Sequence, residues 1–478
     1  MINIFLKEEF YAYDAFHIAK AFFPDEEIKQ HIVCDGKVLL QMKKEEDILL
    51  ELEEALGNTK KEKKSFVNKK IYKELYKYTG KELAWGLLTG VRPTKLAMKK
   101  VEEGCTDEET VQWFQEQYMV TEKKAKLGVE IAKREKSLLE QLDYENGYSL
   151  YVGIPFCPSI CSYCSFSSYP LQEWTNQVDR YLDALCKEIS FVGEVSKEKK
   201  LNTVYIGGGT PTTLEADQLD RLLTHMEETF SYEELKEFTV EAGRPDSITR
   251  EKLEVLRKHQ ISRISVNPQT MQQKTLDVIG RKHTVQDVID IFHMARELGF
   301  ENINMDLIAG LTGENLSDMK DTLERVKELE PDSLTVHSLA IKRAARLGKT
   351  EGYREQLSTA EELSQMIELA ADYAKEMDLV PYYLYRQKNI AGNFENVGYA
   401  KVDKAGIYNI LIMEEKQSII AVGAGASTKI VLPKGKEIPD KKTGELKNIV
   451  RVENVKDVTE YMARIDEMIE RKGEWLWR

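Results

Sequence analysis

Short apolar runs alternate with longer amphipathic stretches through the middle of the chain. This alternation is typical of βα units built around a parallel sheet. The predicted strands are residues 149–154, 203–206, 238–241, 263–266, 302–307 and 333–337. The predicted helices are residues 177–194, 215–230, 251–259, 285–298 and 316–329. The pattern predicts an α/β fold with a partial, TIM-like (βα)6 barrel, whose chemistry gathers at the C-terminal ends of the strands.

The regions on either side of the barrel show different patterns. Residues 1–145 mix short strand-like runs with charged helices and predict an α+β accessory domain. Residues 146–340 form the predicted barrel. Residues 341–478 contain helical patterns, turn-rich stretches and a predicted hairpin around 410–420. We expect this last region to be a mixed domain that covers the substrate at the open side of the barrel.

Length and charge narrow the class of protein. A chain of 478 residues is long enough for two or three structural units. Its 68 basic and 81 acidic residues give a net charge of −13, which argues against nucleic acid as the main partner. No apolar run reaches membrane-spanning length, and the first residues lack a leader pattern. The sequence therefore predicts a cytoplasmic protein.

Three of the six cysteines are close together, directly after the first predicted strand. They are Cys157, Cys161 and Cys164, and thiolates of this kind bind iron–sulfur clusters or zinc. Structural zinc takes four protein ligands, and no histidine or fourth cysteine is nearby. A cubane cluster with three protein ligands keeps one iron open. The spacing favours such a cluster, with zinc and a purely structural loop as the alternatives.

Glycines and polar residues follow the other predicted strands. The second strand runs into Gly207–Gly208–Gly209–Thr210, where backbone can approach a ligand closely. Glu241 closes the third strand, Gln269 follows the fourth, and Asp306 lies on the fifth. Taken singly, each of these is more often a turn, capping or surface residue.

The cysteine motif and the barrel pattern together resemble the radical S-adenosylmethionine (radical SAM) superfamily. The resemblance implies a [4Fe-4S] cluster held by Cys157, Cys161 and Cys164, which are also the catalytic residues. It implies that the open iron chelates S-adenosylmethionine, whose reductive cleavage supplies a 5′-deoxyadenosyl radical. The implied contacts to this cofactor are Tyr151, Tyr163, Gly208, Gly209, Thr210, Glu241, Gln269, Arg281, Asp306 and Ala340.

Longer motifs resemble the oxygen-independent coproporphyrinogen III oxidase family. They are YVGIPFC at 151–157, RKHT at 281–284 and DLIAGL at 306–311. LTGVRPTK at 88–95 and EAGRPD at 241–246 resemble the HemZ-type coproporphyrinogen dehydrogenases within it. The resemblance implies oxidative decarboxylation of coproporphyrinogen III to protoporphyrinogen IX, in haem biosynthesis. It also implies a low-potential electron donor such as flavodoxin or ferredoxin, and an electron acceptor that the sequence does not identify.

The implied tetrapyrrole substrate is anionic, so basic residues are expected near the barrel mouth. Our candidates for pairing with its carboxylates are Arg244, Arg386 and Lys388. His337 ends the last barrel strand and is the candidate for acid–base work or for an axial ligand. The alternatives are solvated charges and a histidine whose hydrogen bonds are satisfied at the rim.

Two departures from the family pattern keep three functions open. The decarboxylating members carry a further cysteine at the position of Phe166. The related haem chaperones carry a phenylalanine there, as this chain does. Those chaperones carry a haem-binding histidine, whereas the comparable stretch here begins at Tyr408. The hypotheses are a coproporphyrinogen dehydrogenase, a haem chaperone with a radical SAM fold, and a radical SAM enzyme that methylates and opens haem.

Overall fold

The computed structural model describes residues 1–477, apart from 25, 34–37, 89, 91, 341–344, 346, 348–356, 387–393 and 441–443. The α-helices are α1 (Ala12–Phe22), α2 (Lys60–Thr79), α3 (Thr94–Glu102), α4 (Asp107–Tyr118), α5 (Glu122–Leu139), α6 (Val178–Val195), α7 (Ala216–Thr229), α8 (Arg250–Lys258), α9 (Gln273–Val278), α10 (Val285–Glu297), α11 (Leu316–Leu329), α12 (Ala360–Glu376), α13 (Ile407–Glu414), α14 (Val458–Ala463) and α15 (Ile465–Gly473).

The β-strands are β1 (Ile2–Leu6), β2 (Ile28–Ile32), β3 (Leu40–Lys44), β4 (Asp47–Leu52), β5 (Gly147–Ile154), β6 (Phe156–Cys157), β7 (Tyr169–Pro170), β8 (Lys200–Gly208), β9 (Glu237–Gly243), β10 (Arg263–Val266), β11 (Ile303–Ala309), β12 (Ser333–Ser338), β13 (Val380–Arg386), β14 (Glu395–Ala400), β15 (Ser418–Val422), β16 (Ser427–Val431), β17 (Ile438–Pro439), β18 (Leu446–Lys447) and β19 (Ile449–Glu453).

Six parallel strands form the centre of the large sheet. They lie in the order β12-β11-β10-β9-β8-β5, each parallel to its neighbours. Leu150, Val152 and Ile154 of β5 are fully buried, because helices cover such strands and apolar side chains leave water there. The six predicted strands and the helices between them are confirmed, and with them the partial (βα)6 barrel.

The C-terminal region extends both edges of this sheet. β14 and β13 add antiparallel strands beside β12, while β15 pairs in parallel with β5 and continues into β16 and β19. The prediction of a hairpin around residues 410–420 is wrong. Residues Ile407–Glu414 form α13, and the hairpin begins at β15. The proposed role of this region in covering substrate stays a prediction.

α13 lies at the N-terminal ends of the barrel strands, on the side opposite the cysteine loop. The Tyr408 amide donates to the carboxylate of Glu237, the first residue of β9, at 3.1 Å. The Tyr408 ring stacks on Tyr205 with centroids 4.5 Å apart, and Tyr151 lies 6.3 Å from both rings. Three tyrosines therefore fill the interior of the barrel beneath the site.

The N-terminal region contributes to two hydrophobic cores. One core, over residues 2–83, packs the sheet β2-β1-β3-β4 against α1 and α2. Residues from Trp85 onward, including α3 to α5, pack into the core of the barrel. The Trp85 indole donates to Glu395 of β14 at 2.7 Å. The division at residue 145 stays a prediction, and apolar packing changes from one core to the other near residue 84. None of the described helices is long and apolar enough to cross a membrane.

A buried carboxyl on α5, without a hydrogen-bond partner in the described part of the chain, makes stability depend on pH. Glu135 is fully buried, and neither of its carboxyl oxygens has a hydrogen-bond partner among the described residues. Burial raises its pKa well above the ordinary value, and the Glu414 carboxyl adds to the shift against the opposing effect of Lys416. The folded state therefore holds a proton that the unfolded chain releases, so stability falls as pH rises above the ordinary carboxyl range.

We expect Glu135→Gln to remove much of this pH dependence. The variant should match the natural protein in melting temperature near pH 5 and exceed it near pH 8. Each kcal/mol corresponds to roughly 2–4 °C for a domain of 150–250 residues. Thermal unfolding at the two pH values measures the difference. Glu130→Gln, at an exposed position of the same helix, is the control and should leave the pH dependence unchanged. Equal pH dependence in the natural protein and Glu135→Gln would contradict the assignment.

Candidate active site

The three cysteines lie on the loop that follows β5. Cys161 is buried, and Cys157 and Cys164 are half-buried. The Cys164 amide donates to the Cys161 carbonyl at 3.1 Å, which gives the second half of the loop a turn. Burial raises the pKa of the Cys157 thiol to about 11 and also raises the pKa of Cys164. Metal binding must therefore displace protons from these sulfurs.

The turn after α9 anchors the cysteine loop from one side. The Ser162 amide donates to the Ile279 carbonyl at 3.0 Å. The Ser159 hydroxyl donates to the Gly280 carbonyl at 3.1 Å. The loop is thus fixed to the rest of the barrel by its own backbone and by a serine, independently of the cysteine side chains.

Tyr163 and Arg281 meet beside this loop. The buried Arg281 donates to the Tyr163 hydroxyl at 3.4 Å and to the Asn267 carbonyl. Its Nε has no partner among the described residues, which leaves a buried donor that a ligand can satisfy. Tyr163 packs against a cluster of buried apolar side chains, which are Leu276, Ile279, Ile308 and Leu311. A flat apolar group next to a cation donor fits this corner.

The glycine segment after β8 runs against the start of the cysteine loop. The Gly209 amide donates to the Ile154 carbonyl, and the Thr210 amide to the Phe156 carbonyl, both at 2.7 Å. Gly208 has a φ of 110°, which favours glycine. The Thr210 hydroxyl lies 3.6 Å from the Cys157 sulfur. The predicted residues Gly208, Gly209 and Thr210 are therefore brought next to the cysteines.

Gly209→Ala should displace the cysteine loop. A Cβ at this position would lie 2.4 Å from the Phe156 carbonyl oxygen and 2.9 Å from the Pro155 carbonyl carbon. Both are backbone atoms, so the loop must move. Because small misplacements at a reacting centre cost roughly a hundredfold in rate, we expect cofactor cleavage to fall by about that factor. The measurement is 5′-deoxyadenosine formation, with iron content determined in parallel.

Gly128→Ala is the matched control for this variant. A Cβ there meets Trp85 at 3.8 Å, an ordinary contact on α5. The control should keep full iron content and full cleavage activity. Normal cleavage in Gly209→Ala would show that the loop does not depend on this close approach.

Glu241 and Tyr205 form a half-buried acid–hydroxyl pair below the glycine segment. The Tyr205 hydroxyl donates to the Glu241 carboxylate. A Cβ at Gly207 would lie 2.9 Å from the other oxygen of this carboxylate, so only glycine leaves it room. Burial raises the pKa of Glu241 to about 7. The carboxylate is thus poised to hold an ammonium group, whose charge would favour the ionised form.

Asp306, Gln269 and His337 form a second polar group at the C-terminal ends of the strands. The backbone amide of Gln269 donates to the backbone carbonyl of Asp306 at 2.9 Å. His337 Nε2 lies 3.8 Å from the Asp306 carboxylate, and its Nδ1 lies 3.1 Å from the Tyr385 hydroxyl. Burial acts to raise the pKa of Asp306, but His337 and Asn304 hold it below its usual value. Buried Gln269 Oε1 has no partner among the described residues, so it remains for a ligand.

The remaining predicted site residues lie in different surroundings. Tyr151 is on β5, with its hydroxyl 3.2 Å from a Cβ built at Gly208. Ala340 follows β12 and is partly buried against the core. Lys388 lies outside the described residues.

Two arginines predicted to meet substrate are already engaged with the protein. Arg386 is 2% exposed, donates to the Leu88 carbonyl and lies over the Trp85 ring at 5.8 Å. Arg244 is 3% exposed and pairs with Asp246. Both guanidinium groups are thus held by protein partners, and a substrate role for either stays a prediction. The sequence gives no sign that either arginine is buried, and the Leu88 carbonyl that Arg386 contacts lies 298 positions away.

Three residues near the site were not predicted from the sequence, namely Tyr205, Asp246 and His283. Tyr205 precedes Gly207 by two positions, so the alternation of β8 already places it on the interior face. Asp246 and His283 stand inside the EAGRPD and RKHT motifs but were assigned no role. His283 is 1% exposed with Nδ1 3.9 Å from the Asp246 carboxylate.

The site residues fit an iron–sulfur cluster and a charged organic cofactor. Three soft thiols share one anchored loop. Two buried polar atoms of the predicted site, Arg281 Nε and Gln269 Oε1, have no partner among the described residues. No three His, Cys, Asp or Glu side chains among the described residues converge as ligands of a single ion. A cubane does not require such convergence, because each thiolate binds a separate iron.

Comparison with known proteins places the chain in a family. Residues 151–326 match the model of the radical SAM superfamily. The chain is 42% identical over 406 residues to the oxygen-independent coproporphyrinogen-III oxidase-like protein HemZ of Bacillus subtilis, which covers 84% of this chain and 79% of that protein. The chain belongs to the radical SAM superfamily, among its HemN/HemZ-like proteins. Radical SAM proteins use a [4Fe-4S] cluster and S-adenosylmethionine, so the cofactor prediction is confirmed.

Two further matches support less, because one covers a smaller part of the chain and the other shows only a shared fold. The heme chaperone HemW of Bacillus subtilis is 39% identical over 194 residues, 40% of this chain and 50% of that protein. The structure of coproporphyrinogen III oxidase (HemN) from Escherichia coli, a radical SAM enzyme, matches with a TM-score of 0.54 at 23% identity. The match covers 70% of this radical SAM chain and 73% of the other, and it shows a shared fold.

Proposed function

We propose that this radical SAM protein decarboxylates coproporphyrinogen III to protoporphyrinogen IX without oxygen, in haem biosynthesis. The extent of the similarity carries the proposal. The likeness to the oxidase-like HemZ runs over 406 residues, including regions outside the barrel, whereas the likeness to the chaperone HemW covers 194. Substrate specificity resides in the parts of a protein that surround a shared catalytic core.

The reaction balances with the cofactors of the family, a donor that supplies one electron for each cleavage of S-adenosylmethionine, and one external acceptor. When bound, the cluster and S-adenosylmethionine would provide the radical that removes a hydrogen atom from the β-carbon of a propionate side chain. Carbon dioxide then leaves from the carboxylate, one electron passes to the acceptor, and a vinyl group remains. Two propionates react in turn. We further propose a cytoplasmic location and a low-potential electron donor such as flavodoxin or ferredoxin.

This chain's own residues have distinct tasks in the proposal. Cys157, Cys161 and Cys164 hold the cluster, while Glu241 and Asp306 are placed to bind the polar groups of the cofactor. His337 near the end of β12 and Tyr385 near the end of β13 are 3.1 Å apart, at the edge of the sheet where the substrate would enter. Lys388 remains the candidate for a substrate carboxylate.

Haem binding is the second candidate, because the chain matches HemW and carries Phe166 after the cysteine loop. Phe166 is 74% exposed. The residue that aligns with the chaperone's haem histidine is Tyr408, which is buried under Tyr205 and Tyr151 and closes the barrel from below. A buried phenol on that side cannot reach a haem at the barrel mouth, which favours the enzyme.

Anaerobic turnover separates these functions. Reconstituted protein is mixed with S-adenosylmethionine, dithionite, an electron acceptor and coproporphyrinogen III, and the tetrapyrrole is followed by mass spectrometry. We expect stepwise loss of two carboxyl groups, with none in Cys161→Ala. Cofactor cleavage without decarboxylation would overturn the proposal. Stoichiometric retention of haem would favour the chaperone, and methylated or opened haem would favour the third hypothesis.

A further inference from the structure

A buried arginine holds the first half of the cysteine loop. Arg244 begins the turn after β9, and its Nη1 donates to the Ser159 carbonyl at 2.8 Å and to the Ser159 hydroxyl at 2.9 Å. The same nitrogen lies 3.8 Å from the Cys161 sulfur, within hydrogen-bond distance for sulfur. Ser159 sits midway between Cys157 and Cys161. One guanidinium therefore bonds the backbone of the loop and a ligand sulfur together.

A carboxylate fixes the orientation of this guanidinium. Arg244 Nε donates to Asp246 Oδ1 at 2.9 Å, and Nη2 donates to Oδ2 at 2.6 Å. This paired geometry leaves Nη1 directed at the loop. Behind the pair, His283 is fully buried with its ring 3.9 Å from Asp246. An arginine remains charged at every accessible pH, so its donors toward the loop are permanent.

We propose that Arg244 is a positioning residue that shapes the cysteine loop before the cluster binds and then donates a hydrogen bond to the Cys161 sulfur. Asp246 orients it, and His283 packs behind the pair. Hydrogen bonds to the sulfurs of a cluster favour its reduced, more negative state and raise its reduction potential. Arg281 donates to the Tyr163 hydroxyl at 3.4 Å and also interacts with Cys161, and it stays in place in every variant tested below. The inference concerns the cluster alone and does not depend on the substrate proposed above.

The first test follows the loop in metal-free protein. Hydrogen exchange is measured on peptides spanning residues 157–164, where the Ser162 and Cys164 amides are hydrogen-bonded. Loss of a charged hydrogen bond is worth tenfold or more in a local equilibrium, so Arg244→Gln should speed exchange there at least about tenfold. Peptides from α6 should be unchanged. Unchanged exchange in residues 157–164 would overturn the positioning role.

The second test follows the cluster itself. Anaerobically reconstituted protein is titrated with reductant and the reduced cluster is monitored by electron paramagnetic resonance. We expect Arg244→Gln to have a lower reduction potential and altered g-values. Arg244→Lys keeps the positive charge but cannot make the paired hydrogen bonds to Asp246. Its reduction potential should therefore lie between those of Arg244→Gln and the natural protein. A potential and spectrum identical to those of the natural protein would overturn the hydrogen bond to Cys161.

Two further variants keep the tests decisive. Asp246→Asn preserves the shape of the side chain while weakening its paired hydrogen bonds with Arg244. It should shift hydrogen exchange and the reduction potential in the same direction as Arg244→Gln, by a smaller amount. If Arg244→Gln fails to fold, Arg244→Lys and Asp246→Asn carry both measurements. Arg250→Gln removes an exposed arginine that pairs with Glu297 at 3.0 Å and should change neither reading. No tetrapyrrole is present in either test, so failure here leaves the proposed decarboxylation untouched.

Discussion

Alanine in place of Cys157, Cys161 or Cys164 is expected to reduce cleavage of S-adenosylmethionine to the level of protein without a cluster. Each cysteine supplies one of three thiolates, and a cubane left with two protein ligands is labile. The three side chains share one short loop with no other cysteine on it. The measurement is 5′-deoxyadenosine formed under dithionite in anaerobic, reconstituted protein, together with iron and sulfide content.

Cys186→Ala provides the matched control for these three variants. Cys186 is half-buried on α6, packed against the core of the barrel. Its replacement removes the same thiol group from a place that no cluster ligand occupies, and cleavage should stay near that of the natural protein. Full cleavage in any one of the three loop variants would overturn the ligand assignment for that residue.

Lys472→Met is expected to destabilise the fold by roughly 3–5 kcal/mol, the usual cost of breaking a buried ion pair. Lys472 and Glu188 are both fully buried and 2.5 Å apart. Glu188 also accepts hydrogen bonds from the Tyr461 hydroxyl at 2.7 Å and the Asn454 amide at 2.9 Å. Removing the lysine leaves a buried carboxylate without its cation. Equilibrium denaturation, with the midpoint and slope compared, measures the loss.

The same two helices carry a surface pair that serves as control. Lys187 on α6 and Asp466 on α15 lie 2.5 Å apart, but their side chains are 52% and 80% exposed. Lys187→Met should cost less than about 1 kcal/mol. Adding Glu188→Gln to Lys472→Met should recover part of the loss, because the unpaired charge is gone. Equal effects of the two lysine variants would contradict the importance of the buried pair.

The barrel could be predicted because each of its strands and helices leaves a pattern of apolar and polar residues within its own short stretch of sequence. A parallel strand covered by helices on its outer face is apolar along most of its length, as in residues 150–154, and the polar runs between strands mark turns. The cysteine loop could be predicted for a related reason. Three ligands within eight residues need no knowledge of the rest of the chain.

α13 could not be predicted because its environment is not local. Ile410 and Leu411 are fully buried and Tyr408 nearly so, so the helix lacks the polar face that marks an amphipathic pattern. An apolar run of this length is equally compatible with a strand. Contacts with residues far away in the chain place this segment against the barrel: the Tyr408 ring stacks on Tyr205, about two hundred positions earlier, and the Tyr408 amide donates to Glu237.

The roles of the arginines depended on contacts that sequence does not reveal. Arg386 donates to the Leu88 carbonyl, 298 positions away. Arg244 reaches Ser159, 85 positions away, yet its partner Asp246 is two residues along the same motif. An arginine followed two positions later by an aspartate before a helix could have indicated a local ion pair.

Mössbauer spectroscopy of the anaerobic protein tests most directly that three cysteines hold a cubane with one open iron. The protein is reconstituted with ⁵⁷Fe and measured with and without S-adenosylmethionine. We expect four irons per chain, of which one changes its isomer shift and quadrupole splitting when the cofactor binds. Zinc in place of iron, or four sites that do not respond to the cofactor, would contradict the assignment of Cys157, Cys161 and Cys164.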